Sequence, residues 1–152
     1  MKLAEALILR ADAQKRIEQL KQRLVNSAKV QQGDEAPENP QELLVELERA
    51  FSTLADLIKR INKTNSATGF DADKTLSDVL AERDVLMAKR NAYSQLASAA
   101  SIVQNVFSRS EIKFVRTVEV SEVQKQADEL SKAYRELDSR IQQLNWQTDL
   151  IE

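Results

Sequence analysis

Few residues in this chain could do chemistry, because the sequence contains neither histidine nor cysteine. The commonest general base, the usual transition-metal ligand and the thiolate nucleophile are therefore missing. Carboxylates, amides, hydroxyls and basic side chains remain, and no Walker loop or dinucleotide-binding fingerprint arranges them for catalysis. We therefore expect a protein that is not an enzyme and that binds no cofactor.

One acidic loop matches part of a calcium-binding loop. Asp71, Asp73, Thr75 and Glu82 stand at positions one, three, five and twelve of such a loop. Position six, which requires glycine for its sharp turn, is Leu76, and a helix is predicted to begin inside the loop. The sequence therefore favours a solvated turn that leads into a helix, and we expect no metal site.

A second group of polar residues is not explained by a solvated helix surface. Arg83 falls on an apolar helix seam, where it requires a carboxylate or carbonyl partner. Asn62 and Asn65 flank a predicted helix break, where side-chain amides bond exposed backbone groups. The pattern is typical of a buried polar network that fixes helix register, and a ligand-binding pocket is the alternative. The full candidate set is Asn62, Thr64, Asn65, Arg83, Asp84, Asn145 and Trp146.

Long helices must position these groups. From Ser121 to Ile151, apolar residues recur at alternating intervals of four and three, with Thr148 as the one polar member. Such a heptad seam predicts a long helix packed against other helices. Similar seams predict three further helices, from Lys2 to about Gln32, from Pro40 to Ile61 and from near Thr75 to Phe107. In the second of these helices, a second apolar stripe lies beside the seam and consists of Leu44, Phe51 and Ile58.

The helix boundaries follow from capping residues and breakers. The segment from Gly33 to Pro40 predicts an exposed turn between antiparallel helices. Asn39 is a suitable N-cap for the second helix, and Pro40 suits its first position. Ser121 with Gln124 is expected to cap the fourth helix.

One strand is predicted between the third and fourth helices. Residues Glu111–Val120 alternate between apolar and polar side chains and are rich in β-branched and aromatic types, which indicates a strand. The helical period fails over residues 62–73. We expect Thr64–Thr68 to pair with the strand, because an unpaired strand would leave backbone groups unsatisfied.

Together these elements predict a mainly α protein. We expect an antiparallel bundle of four long helices, with coiled-coil-like hairpins and a small two-stranded β element. A chain of 152 residues is long enough to form one domain with a real core. We therefore predict a single helical domain over residues 1–152.

Two apolar stretches predict self-association. Apolar residues surround nearly the whole circumference of the first helical turns, and a helix of that kind needs neighbours on more than one side. From Asn91 to Ser108, eighteen residues carry no charge, and a charge-free face can be covered by another subunit. The expected oligomer contacts are Leu3, Leu7, Ile8, Leu9, Ala99, Ile102 and Val103.

The distribution of charged and polar residues argues against nucleic-acid and membrane partners. The chain has 22 basic and 24 acidic residues, and the two signs are interspersed instead of forming the cationic stripe typical of nucleic-acid binders. The uncharged stretch contains Asn91, Gln95, Gln104 and Asn105, which makes its membrane insertion unfavourable. The first residues lack the pattern of a secretory signal. We expect a cytoplasmic protein without a nucleic-acid or membrane partner.

Several short motifs are shared with a known family. They are Lys2–Leu7, Ile61–Asn65, Arg83-Asp84 with Leu86, Glu111–Lys113, Leu137-Asp138 with Ile141-Gln142, and Asn145-Trp146. With these motifs the chain resembles an uncharacterised bacterial family of small long-helix proteins that are often labelled septicolysin-like. The resemblance implies a long-helix fold and, through the label, a link to cytolysins.

Our leading hypothesis is a non-enzymatic, self-associating helical protein. The main alternative is a ligand-binding or pore-forming protein. A third hypothesis, an enzyme that works with carboxylates, requires acidic side chains to converge on a cleft.

Overall fold

The computed structural model describes residues 1–101 and 112–152, and this part of the chain is mainly helical. The two short strands found there pair antiparallel. This architecture confirms the predicted mainly α fold with long helices and a small two-stranded β element. In chain order the elements are α1 (Leu3–Asn26), α2 (Pro40–Ala67), β1 (Gly69–Asp71), β2 (Lys74–Thr75), α3 (Leu76–Ala100) and α4 (Val120–Gln147).

The chain divides into two compact units. Unit 1 comprises Met1–Thr75 together with Gln143–Glu152, and unit 2 comprises Leu76–Gln142. Helix α4 contributes residues to both units. The single domain expected over residues 1–152 stays a prediction.

In unit 1, α1 and α2 form an antiparallel hairpin. Arg16 Nη2 lies 2.7 Å from Glu46 Oε2, and one turn from the end of α1 the guanidinium of Arg23 pairs with Glu38. Between the helices lie apolar side chains of the predicted seams, and each leucine or isoleucine among them contributes roughly 1.5–3 kcal/mol when fully buried. The buried members are Leu3, Ala6, Ile17, Leu20, Leu43, Leu57 and Ile61.

The turn between α1 and α2 contains both predicted helix-start signals. The Asn39 side chain accepts a hydrogen bond from the backbone N–H of Gln41 at 3.0 Å, and Pro40 occupies the first helical position, so this prediction is confirmed. Gly33 has a φ of 92°, a left-handed conformation that L side chains rarely adopt. Helix α1 ends at Asn26, earlier than the predicted Gln32, and the backbone N–H of Ser27 closes its last turn.

The predicted pairing of Thr64–Thr68 with a later strand is wrong. The heptad seam continues past Ile61 to the buried Thr64, so α2 extends to Ala67. The Thr64 and Thr68 hydroxyls donate to the carbonyls of Arg60 and Thr64, each at 2.7 Å, which satisfies these polar groups within the helix. The β element instead joins β1 to β2, and this hairpin occupies the loop that matched part of a calcium site.

The strand expected over Glu111–Val120 is also not observed. Glu111 lies outside the described residues, residues 112–119 have no regular secondary structure, and Val120 already begins α4. Ser121 is therefore inside the helix, where its hydroxyl donates to Glu119, so the predicted cap is wrong. Strand propensity reflects the packing of side chains on a half-buried sheet surface. The side chains of Ile112, Phe114 and Val115 are exposed, so no such packing stabilises a strand here.

In unit 2, α3 and α4 run antiparallel. Arg83 on α3 pairs with Asp138 on α4, and one heptad further along α3 Arg90 Nε donates to Ser131 Oγ at 3.2 Å. The predicted extension of this helix to Phe107 lies outside the described residues. Unit 2 buries small and aliphatic side chains near both ends of the helix pair, at Leu76, Val79, Ala97, Ala127 and Ile141.

The final residues correct the predicted end of α4. The helix ends at Gln147 instead of Ile151, and the residues beyond it pair with the N-terminal residues of the chain. The Leu3 N–H donates to the Thr148 carbonyl, and the Leu150 N–H donates to the Met1 carbonyl, both at 2.9 Å. These backbone bonds replace the helical bonds that another turn of α4 would supply.

Candidate functional site

Five of the seven candidate polar residues belong to unit 1, and the structure gives them different environments. Thr64 and Asn145 are buried, Asn65 is half-buried, and Asn62 and Trp146 are exposed. The Thr64 hydroxyl donates to the Arg60 carbonyl and accepts a hydrogen bond from the backbone N–H of Ile151 at 3.0 Å. Thr64 therefore links α2 to the C-terminal residues.

Sequence reasoning missed the residues that hold the C-terminal segment, which we define as residues 148–152. Lys2 Nζ lies 2.8 Å from Asp149 Oδ1 and donates to the Gln147 carbonyl at 3.2 Å. The side chains of Arg60 and Lys63 donate to the carbonyls of Ile151 and Glu152. No local signal in the sequence identifies these partners, because they lie far apart along the chain.

The other two candidate residues, Arg83 and Asp84, belong to unit 2. Arg83 Nη1 donates to Asp138 Oδ1 at 2.8 Å, which confirms the expectation that Arg83 requires a carboxylate partner. Gln142 Nε2 donates to the same oxygen at 3.4 Å. The buried Nε of Arg83 has no hydrogen-bond partner within the described residues, and the exposed Asp84 carboxylate lies 3.8 Å from it.

The hydrogen bond between Arg83 and Asp138 is a polar contact between α3 and α4. Contacts of this kind are typical of pairs that set the register of two helices. Arg83 with Asp138 and Arg90 with Ser131 are separated by one heptad on each helix. Polar pairs at seam positions specify register because any slipped alignment leaves a partly buried charge unpaired.

An open groove in unit 2 includes Glu82, the neighbour of Arg83 in the sequence. One part has a volume of about 440 Å³ and is lined by Ala81, Glu82, Val85, Leu86 and Lys89. The adjoining part, of about 260 Å³, shares Lys89 and is lined also by Tyr93, Gln126, Glu129 and Leu130. Aliphatic walls with a few polar groups are typical of sites for small organic ligands.

The expected oligomer contacts of unit 1 differ in exposure. Leu3 is fully buried within the chain, so its side chain has no surface to offer a second copy. Leu7 is half-buried, whereas Ile8 and Leu9 are exposed beside a hollow of about 380 Å³ that is lined by Met1, Glu5, Ile8 and Leu9. We call Met1, Ile8 and Leu9 the N-terminal patch.

The expected contacts of the third helix are described only in part. Ala99 is exposed, and Ile102 and Val103 lie outside the described residues. The second stripe of α2, Leu44, Phe51 and Ile58, is exposed as well.

In the part of the chain that the structure describes, the carboxyl groups of Glu38 and Asp149 have perturbed acidities, and both residues belong to unit 1. Hydrogen bonding from Arg23, with smaller Coulomb effects, holds the pKa of Glu38 below its ordinary value, and the same pair raises the pKa of Arg23. A hydrogen bond from Lys2 lowers the pKa of Asp149. Both carboxylates stabilise contacts between elements and are not poised to accept a proton near neutral pH.

The described residues offer neither a metal-binding cluster nor a membrane-spanning helix. Within residues 1–101 and 112–152, no cluster of three or more acidic side chains is arranged to hold a metal ion. No helix in those ranges combines the length and hydropathy needed to span a bilayer.

Fold and site define a class of mainly α proteins built on helical hairpins. A family model described as a family of unknown function, DUF6847, matches residues 10–150, and the chain belongs to this family. Among solved structures, the chain is similar to a functionally unknown conserved protein from Corynebacterium diphtheriae. The identity is 50%, the alignment covers 99% of each chain, and the TM-score is 0.92. A search of curated proteins found no match.

Proposed function

We propose that this protein is a non-enzymatic helical protein that acts by self-association. The observation that carries the proposal is the exposure of the N-terminal patch around its open hollow. Neighbouring positions of the same helix, Leu3, Ala4 and Ala6, are buried inside unit 1. The first turns of α1 therefore have apolar side chains on two sides: some are buried in the core of unit 1, and others are exposed to solvent.

A second copy of the chain could bury the N-terminal patch in an interface. Burying apolar surface is favourable by roughly 25 cal/mol per Å², and a grouped patch allows several side chains to leave water together. The absence of histidine and cysteine from the sequence also favours a structural role over a catalytic one. We further propose a cytoplasmic location, with neither a nucleic-acid nor a membrane partner.

Light scattering after size-exclusion chromatography tests self-association. At micromolar concentration the wild-type protein is expected to have a mass above that of one chain. Ile8→Glu should shift the mass towards one chain, because a buried carboxylate would be costly. The matched control is Val25→Glu on the same helix, where the native residue is 69% exposed, and it should leave the mass unchanged. A wild-type protein that is monomeric at every concentration overturns the proposal.

A ligand-binding role is the second candidate, and the groove in unit 2 favours it. Lys89 is shared by both parts of the groove and would contact ligands in either part. A thermal-shift screen of small amphiphilic compounds should find stabilising ligands whose effect is lost in Lys89→Ala. Uniform absence of such shifts would remove this candidate.

The resemblance to septicolysin-like proteins supports a pore-forming version of the second candidate. Release of a fluorescent dye from liposomes tests it directly. Leakage caused by the purified wild-type protein would support the pore, and intact liposomes at micromolar protein would remove it.

A further inference from the structure

The C-terminal segment, residues 148–152, lies against unit 1 in the way that an extended peptide lies against a binding protein. An isolated antiparallel bridge joins Lys2 to Asp149, and backbone hydrogen bonds of 2.9 Å pair the residues on either side of it. Addition of an extended peptide to exposed backbone is a common mode of peptide recognition. The surface that holds the segment, which we call the segment site, consists of Met1, Lys2, Leu3, Arg60, Lys63 and Thr64.

Three side chains of α2 bind the backbone of the segment. The hydroxyl of the fully buried Thr64 accepts a hydrogen bond from the Ile151 N–H at 3.0 Å, and Arg60 Nε donates to the carbonyl of the same residue at 3.2 Å. Lys63 Nζ donates to the Glu152 carbonyl at 3.4 Å. Because peptide N–H and C=O groups occur in every polypeptide, these contacts can hold an extended chain whatever its side chains are.

The side chains of the segment add selectivity for sequence. Leu150 is 7% exposed and lies inside unit 1, and Ile151 is half-buried. The Asp149 carboxylate lies 2.8 Å from Lys2 Nζ, so a cation is already in place for an acidic residue at this position. The segment site therefore fits an extended peptide in which an acidic residue precedes leucine and a second aliphatic residue follows.

The segment is held largely by contacts that are exposed to water. The side chains of Lys2 and Asp149 are 40% and 77% exposed, and ion pairs at such sites contribute little to stability. Of the five residues of the segment, all of which the structure describes, Leu150 alone is buried. Regions with few buried contacts open locally while the rest of the fold persists. We therefore expect the segment to leave its site in a small fraction of molecules.

We propose that the segment site binds an extended peptide from another chain, and that the C-terminal segment competes with this peptide from within the molecule. The acidic residue of the peptide pairs with Lys2, its leucine takes the place of Leu150, and its backbone bonds Thr64 and Arg60. Two sources can supply such a peptide, namely the C-terminal segment of a second copy or a segment of another protein. The proposal does not depend on the N-terminal patch and adds a binding activity to unit 1.

Fluorescence anisotropy with the full-length chain tests the competition. The probe is a labelled peptide of sequence Thr-Asp-Leu-Ile-Glu, blocked at both ends. Leu150→Ala should bind the probe about tenfold or more tightly than wild type, because a weakened segment leaves a larger fraction of sites open. Leu96→Ala on α3, where the native residue is 44% exposed, is the matched control and should bind like wild type. A probe with aspartate in place of its leucine should bind about tenfold or more weakly.

A disulfide that closes the site provides a second test within one molecule. Lys2 and Asp149 form the non-hydrogen-bonded pair of their bridge, and the Cα atoms of such a pair lie about 4.5 Å apart, which suits a disulfide. The native chain has no cysteine, so the double variant Lys2→Cys/Asp149→Cys contains only this thiol pair. The oxidised protein should lose probe binding, and reduction should restore it. This comparison decides the proposal if Leu150→Ala changes the helicity measured by circular dichroism.

Mixing the two single variants identifies the source of the peptide. If a second copy supplies it, Lys2→Cys and Asp149→Cys should form a disulfide between copies faster than Val25→Cys and Asp149→Cys do. Probe binding without this faster disulfide assigns the peptide to another protein. Equal binding of the probe by the oxidised and reduced double variant would overturn the proposal, as would no binding by any variant. Equal binding of the two probes would overturn the stated ligand class.

Discussion

The backbone N–H of Ile151 donates to the hydroxyl of Thr64 at 3.0 Å, which joins residues 87 positions apart in the sequence. In return, Arg60 Nε donates to the carbonyl of Ile151 at 3.2 Å. The hydroxyl of Thr64 also donates to the Arg60 carbonyl, so one buried oxygen supports α2 and holds the C-terminal segment. Thr64 thus has a clear structural role within the candidate polar set.

Thr64→Val should destabilise the protein by roughly 1–3 kcal/mol. The substitution keeps the shape of the side chain but leaves the Ile151 N–H without its acceptor, and an unpaired buried donor costs about that much. Urea unfolding followed by circular dichroism measures the loss. Thr68→Val is the matched control, because among the described residues the hydroxyl of Thr68, which directly follows α2, bonds only to the Thr64 carbonyl. Equal losses in the two variants would contradict the role of Thr64 in holding the C-terminal segment.

Asp149→Asn should reduce the dependence of stability on pH in acid. The hydrogen bond from Lys2 makes the pKa of Asp149 lower in the folded chain than in the unfolded chain. The carboxylate therefore contributes stability above its unfolded pKa of about 3.9, and this contribution is lost as the pH falls through the lower folded pKa. Melting temperatures between pH 7 and pH 2 should show a smaller acid decrease for Asp149→Asn than for wild type.

Lys2→Met provides the complementary control for Asp149, because it removes the same hydrogen bond from the other side. Its acid decrease should match that of Asp149→Asn. Glu38, whose pKa is also lowered, is retained in all three proteins and contributes to the decrease that remains. Wild-type and variant curves that run parallel over the whole pH range would refute the assignment.

A double-mutant cycle on Arg83→Met and Asp138→Asn should give a coupling energy of roughly 0.5–3 kcal/mol. The two side chains are 23% and 33% exposed and form a hydrogen bond of 2.8 Å between α3 and α4. The comparison cycle uses Lys132 and Glu136, a pair at 4.0 Å that is mostly exposed and should give about 0.3–0.5 kcal/mol. Similar couplings from the two cycles would show that the Arg83 pair does not fix the helix pairing.

Gly33→Ala should cost about 1–2 kcal/mol, because the native φ of 92° is left-handed and strains any residue with a Cβ atom. Gly69→Ala is the matched control. Neither glycine has an atom within 4 Å of an added Cβ, but Gly69 lacks the positive φ and should change stability by less than about 0.5 kcal/mol. Urea midpoints that change equally would indicate that the turn adapts to the side chain.

The interactions of the candidate site residues could be predicted only in part, because a local sequence pattern does not reveal which distant residues become neighbours. The seam position of Arg83 indicated that a carboxylate or carbonyl partner was needed, but its identity as Asp138 followed from the pairing of α3 with α4. The helix break expected near Asn62 and Asn65 is absent, because burial of Ile61 and Thr64 outweighs the weak helix propensity of their polar neighbours. Both asparagines are therefore on a continuous helix.

By itself, the sequence determined that the chain forms long helices, because heptad spacing and the Asn39-Pro40 start signal act between near neighbours. The tertiary structure decided where α4 ends. There the seam pattern continues to Ile151, yet residues after Gln147 leave the helix to bond Met1, Leu3 and Thr64. Partners so distant in sequence meet only after the chain has folded, and the bonds they form outweigh one more turn of helix.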